Sequence, residues 1–130
     1  ATPSFDSNNI IDTSSAACLT NAGYWTSSSD KNKKENFQEI DSKAILEKVI
    51  ALPITSWNYI EENNQIRHLG PMAQDFYKAF ELGPSDKTIS TIDSVGIALS
   101  AIQELYSLVK QQEAKIAELE NKVKLLMNKN

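Results

Sequence analysis

The chain has 130 residues, of which 17 are acidic and 13 basic, for a net charge of −4; with 41% hydrophobic and 23% charged residues it is a foldable chain of one-domain size rather than a disordered one. The mildly acidic balance speaks against a nucleic-acid or anionic-membrane binder, which carries a basic field. A single cysteine, Cys18, excludes an intrachain disulfide, and one histidine with one cysteine does not make the usual zinc site, so no metal and no cofactor is expected.

Residues 1–30 hold no Lys or Arg and are rich in Ser, Thr and Asn. With short apolar groups such as Ile10-Ile11 and Ala16-Ala17-Cys18-Leu19, this composition suits short strands and turns. Asn21-Ala22-Gly23 reads as the turn of a hairpin between Cys18-Leu19-Thr20 and Tyr24-Trp25-Thr26. Such a segment has too little apolar surface to fold alone. Residues 1–29 are therefore expected to be the end of a longer β-rich body, or to pair with other chains. No basic-then-apolar leader opens the sequence, and no apolar run approaches the ~20 residues of a membrane span.

Residues 30–92 read as a compact α+β domain. Asp41 is placed to cap a helix bearing Ile45, Leu46, Val49 and Ile50, which Leu52-Pro53 closes. Ile54 to Ile60 alternates as a half-buried strand, with Thr55, Trp57 and Tyr59 on one side and Ser56 and Asn58 on the other. Residues 61–65 form a polar turn and Ile66 to Leu69 a returning strand. Gly70-Pro71 is expected to open a second helix with proline at its first position, striped by Met72, Phe76, Ala79 and Phe80 and ended by Gly83-Pro84. Thr88 to Ile92 reads as a short extended piece. Trp57, Tyr59, Phe76 and Phe80 are candidate core residues, and His68 a packed or solvent-facing side chain.

Residues 93–130 carry the strongest physical signal. There is no proline from Asp93 to Asn128, and thirty-odd helical residues make a rod on the order of 50 Å long. With Ile102 at heptad position a, the a positions are Ile102, Val109, Ile116 and Val123, and the d positions Leu105, Gln112, Leu119 and Leu126. Extended backwards, Val95 falls at a and Ala98 at d. Lys115 at g stands five residues before Glu120 at e, as a parallel interchain pair requires. The narrow stripe predicts a coiled coil, against the alternative of an amphipathic helix lying on its own domain. β-branched a with Leu at d suits two strands, and Gln112 in the seam suits a device that fixes register and partner number.

Three stretches in order resemble the intramolecular chaperone domain at the C-terminus of phage endosialidases, tailspikes and tail fibres, the S74 peptidase family. Leu19 to Phe37 carries Trp25, Ser29-Asp30 and a Lys-x-Asn in that family's spacing. Leu52-Pro53-Ile54-Thr55-Ser56-Trp57-Asn58-Tyr59 is similar to its Leu-Pro strand ending in aromatic-x-Tyr. Arg67-His68-Leu69-Gly70-Pro71-Met72-Ala73-Gln74-Asp75-Phe76 is similar to its Gly-x-x-Ala-Gln-Asp helix start, and Ala101-Ile102-Gln103-Glu104-Leu105 to the beginning of its terminal coiled coil.

The resemblance implies a homotrimer and self-cleavage by a Ser–Lys dyad, here Ser29 and Lys34, next to the Ser29–Asp30 bond. A serine hydroxyl needs a base to take its proton, and a lysine is that base only where burial or positive neighbours such as Lys31 and Lys33 favour its neutral form. Composition alone does not choose among Ser27, Ser28 and Ser29; the family's Ser-Asp pairing picks Ser29. Attack on the preceding carbonyl, attack across the trimer, and help from the Asp30 carboxylate all remain open. Arg67, Gln74 and Asp75 are candidate supporting groups around the dyad, although the helix dipole accounts for Asp75 by itself.

The implied function is a chaperone that trimerises, templates the upstream part of the same polypeptide and then releases itself. That upstream part would be a fibre or tailspike of a virion or a prophage-like bacterial protein, and the chaperone would act in the host cytoplasm during assembly. The alternatives are an uncut, permanent trimeric cap, and the oligomerisation domain of a membrane-tethered regulator.

Overall fold

The computed structural model describes residues 9–13 and 16–129, which divide between two units, Ala1–Ile40 and Asp41–Asn130. The fold is α+β, as the sequence predicts.

In the first unit, β1 (Asn9–Asp12), β2 (Ala17–Thr20) and β3 (Trp25–Ser27) form an antiparallel meander in that order. Thr13 builds the first turn: its Oγ1 donates to the Ala17 carbonyl at 2.8 Å and accepts from the Ala17 amide at 3.0 Å. The predicted hairpin is present, with Cys18 opposite Thr26 and Leu19 opposite Trp25. Gly23 sits at φ +85, a left-handed conformation that glycine adopts without strain, and its amide donates to the Thr20 carbonyl at 2.9 Å. Cys18 is free and half-buried. The expectation of strands over 1–28 is met across Asn9–Ser27; residues 1–8, 14 and 15 lie outside the described residues.

In the second unit, α1 (Ser42–Ala51) starts where Asp41 caps it, Oδ1 accepting from the Ala44 amide at 3.0 Å, and stops before Pro53. Its inner stripe is Ile45, Leu46 and Val49, with Leu46 buried. β4 (Thr55–Trp57) and β5 (His68–Gly70) pair antiparallel, Trp57 opposite His68. Both are shorter than the alternation predicts. The Glu62 carboxylate takes the Tyr59 amide at 2.5 Å, and an Asn63-centred turn takes the amides of Gln65 and Ile66. Those amides are thereby lost to the ladder. Tyr59 is 63% exposed and not core; it rests edge-on against Trp57, with ring centroids 4.9 Å apart.

α2 (Ala73–Phe80) begins after Met72, which is extended, so Pro71 precedes the helix rather than opening it. β5 runs to Gly70, and Pro71 and Met72 are used in leaving the sheet. The helix ends at Glu81, φ +52, ahead of Gly83-Pro84. Phe76 is its buried anchor, 3% exposed, with its ring tilted against that of the half-buried Phe80 at a centroid distance of 4.9 Å.

α3 (Thr91–Met127) has 37 residues and is about 55 Å long. Ser90 Oγ accepts from the Ile92 amide at 3.2 Å, which draws Thr91 and Ile92 into the helix instead of the expected extended piece. α1 packs along α3, and Ser42 Oγ donates to Glu104 Oε2 at 2.8 Å. Ile97, Ser100, Ala101, Glu104 and Leu108 lose exposure on this side. The heptad residues Ile102, Leu105, Val109, Ile116, Leu119, Val123 and Leu126 are exposed on another side. The first half of α3 therefore lies on its own domain, as one of the two alternatives drawn from the sequence has it, and still presents a separate apolar stripe.

One expectation is corrected here. α3 contains an 18-residue window with mean hydropathy 1.2, long and apolar enough by composition to cross a membrane. Counting consecutive apolar residues misses this, because Ala, Ser and Gly separate the aliphatic ones. Its contact with α1 and the hydrogen bond to Glu104 are those of a helix packed on protein.

Candidate functional site

β3 ends the meander and Ser28 extends the ladder one step, its amide donating to the Ala16 carbonyl at 2.6 Å. Asp30 then reverses the chain. Its Oδ1 accepts from the Asn32 amide at 2.9 Å and from Asn32 Nδ2 at 3.0 Å, capping a single 3-10 turn, Lys31–Lys33. The Lys33 amide closes on the Asp30 carbonyl at 3.1 Å and the Lys34 amide on the Lys31 carbonyl at 3.2 Å. This turn carries residue i+5 back over residue i. Lys34 Nζ donates to Ser29 Oγ at 2.6 Å, a serine–lysine pair within hydrogen-bonding reach. Both side chains are exposed.

The spacing of the motif thus has a local cause. Serine and lysine stand five positions apart because one capped 3-10 turn lies between them. The Asn of the Lys-x-Asn signature is Asn36, at φ +56. Asn tolerates this left-handed conformation far better than a β-branched residue does. Asn32 carries the geometry of the turn and Asn36 a left-handed step just after it, and neither is among the site residues expected from the sequence. The signal was there, as an Asp-x-Asn turn and an Asn two residues after the lysine. Ser27 is a β3 residue and Ser28 continues the sheet; of the three adjacent serines, Ser29 is the one hydrogen-bonded to Lys34. The Asp30 Oδ1 atom is engaged by Asn32.

Arg67, Gln74 and Asp75 belong to the second unit. Arg67 holds the strand pair: Nη2 donates to the Ser56 carbonyl at 2.8 Å, Nη1 to Asn58 Oδ1 at 3.1 Å and Nε to Ser56 Oγ at 3.2 Å. Asp75 lies in the first turn of α2, where the helix dipole favours a negative charge, and Gln74 is exposed beside it. His68 is half-buried against Trp57 at 4.9 Å and pairs with the Glu62 carboxylate at 2.9 Å. The amide of Tyr59, and after it His68, hold the Glu62 carboxyl below its ordinary value of 4.5. Among the described residues, no group of three or more His, Cys, Asp or Glu is placed to hold a metal ion.

No curated protein matches the chain. A family model does: residues 29–82 match Peptidase S74, chaperone of endosialidase, which supports the resemblance carried by the chain's motifs.

Proposed function

We propose that the chain is an intramolecular chaperone that assembles as a parallel homotrimer through α3, templates an upstream β-rich segment, and releases itself by cleavage next to Ser29. A chaperone-like role is what the family match supports. The observation that carries the chemistry is the 2.6 Å contact between Lys34 Nζ and Ser29 Oγ. The matched family acts on endosialidase, and its counterpart for this chain would be a fibre or tailspike of a virion or prophage.

The assembly rests on the exposed stripe. Ile116 and Leu119 are 55% and 49% exposed in the single chain, and burying such side chains is worth about 1.5–3 kcal/mol each. Glu118 is held by Lys122 at 2.8 Å and by Lys115 at 3.5 Å on the same helix, so Lys115 can exchange the longer of these pairs for Glu120 of a parallel neighbour. Gathering chains raises the local concentration of their upstream segments. Long-range β pairing is slow and prone to error, so a template held beside it is useful. Removing the template afterwards leaves a stem that resists unfolding kinetically.

The cleavage step needs a neutral lysine to accept the Ser29 Oγ proton as Oγ attacks a peptide carbonyl; the proton then passes to the leaving amine, and water hydrolyses the ester. Neutral lysine is favoured by burial. Ser29 and Lys34 are exposed in the single chain, so the burial comes from neighbouring subunits, which makes cleavage follow assembly. Ser29→Ala and Lys34→Ala each abolish cutting and leave the oligomer folded. Lys34→Arg also fails, because a guanidinium keeps its proton near neutral pH, and Ser28→Ala has little effect. A denaturing gel of these four variants is the test. Cutting that persists in both Ser29→Ala and Lys34→Ala refutes the dyad.

A further inference from the structure

The flanks of the α3 seam change character where α1 stops covering the helix. One flank, heptad position e, reads Ile92, Leu99, Tyr106, Glu113, Glu120, Met127. The other flank, position g, reads Ser94, Ala101, Leu108, Lys115, Lys122. Between Leu99 and Leu108 both flanks are apolar and between Glu113 and Lys122 both are charged; Leu108 is the last α3 residue to lose exposure on the α1 side. On the g flank the protomer's own α1 explains the apolar residues, since Ala101 is buried and Leu108 half-buried. On the e flank nothing in the single chain does: Leu99 is 57% and Tyr106 63% exposed, and Ile92 is exposed too. In the two heptads beyond α1, the same flank carries Glu113 and Glu120.

In a parallel coiled coil the e flank of one helix faces the g flank of the next. Over residues 97–108 that neighbouring g flank carries the neighbour's own α1. We infer that each α1 lies in the groove between two α3 helices, gripping its own through Leu46 and meeting Leu99 and Tyr106 of a second copy of this chain through its exposed side. Ile50, an α1 residue 76% exposed in the single chain, is the apolar side chain available to make that contact. The dimensions agree, because ten residues of α1 span about 15 Å and Leu99 to Tyr106 about 10 Å of helix. The upper part of the assembly is then a bundle of α1 and α3 helices together, and only the lower part a bare coiled coil. This rests on the parallel assembly proposed above.

The test uses the full chain with Cys18→Ser throughout. One version carries Ile50→Cys and the other Leu99→Cys; they are co-expressed and treated with a short bismaleimide, so that any 50–99 link is between chains by construction. The expected result is a cross-linked mixed dimer on a reducing denaturing gel, and none when Glu120→Cys replaces Leu99→Cys. Ile50→Lys is expected to weaken association at least tenfold in sedimentation equilibrium with helix content unchanged. A mixture that sediments as an oligomer yet gives no 50–99 link overturns the inference and leaves the assembly standing. A chain that is monomeric at micromolar concentration overturns the assembly itself.

Discussion

The turn around Ser29 and the helix α3 solve opposite problems. The turn is complete within a few residues: Asp30 caps it, Asn32 returns the cap, and Lys34 reaches Ser29 without help from any distant element. α3 forms just as surely as a helix, yet its heptad stripe has no partner in the single chain. The difference separates two requirements of a controlled cleavage. On the function proposed above, the reactive atoms are positioned locally, while the burial that would favour a neutral lysine waits for chains to assemble.

The strongest way to break this comparison is to remove the seam. Ile116→Ala with Leu119→Ala is expected to remove about 2–5 kcal/mol per buried side chain. The result is dissociation at micromolar concentration in sedimentation equilibrium and loss of cleavage with the dyad untouched. Cleavage that continues in the monomer would show that the turn needs no assembly. Next in size is the support of α3 by its own domain. Phe76→Ala is expected to destabilise the second unit by about 3–5 kcal/mol in denaturant unfolding, with residues 113–127 unaffected in the assembled state. A third change sharpens the local side. Asn36→Val places a β-branched residue at φ +56, which is strained by on the order of 1–3 kcal/mol. It is expected to slow cleavage, whereas Asn36→Gly is tolerated.

Legibility in the sequence followed the range of the interaction. The cap at Asp41, the turn at Gly23 and the heptads of α3 are set by neighbours in sequence, and all three were readable. The strand lengths were not, because Glu62 reaches back to the Tyr59 amide and Asn63 takes the amides beyond it. Alternation of apolar residues does not register such side-chain competition. The start of α2 was misplaced because Gly70 is needed opposite Thr55, a pairing across the sheet. At the site, Ser29 and Lys34 came from the family motif, and only the backbone of the turn explains their spacing.

Two smaller effects remain. The Glu62 carboxyl is held low by the Tyr59 amide and by His68. Its folded value lies below its unfolded one, so its stabilisation is full above about pH 4.5 and is lost as pH falls through the lower folded value. Thermal unfolding of the wild type between pH 6 and 3 should therefore show an acid-side loss that Glu62→Gln reduces. Ser100 Oγ is buried beside α1 without a hydrogen-bond partner, so Ser100→Ala is expected to be neutral or to stabilise by about 1 kcal/mol.

The most direct measurement is the mass of the denatured protein after incubation at neutral pH, with sedimentation of the same sample. The expected result is a trimer in solution whose chains, once denatured, have lost the intact mass and yield residues 30–130 as a separate piece, while Ser29→Ala stays whole. A wild-type trimer whose chains remain intact after days would contradict self-release and leave a permanent trimeric cap in its place.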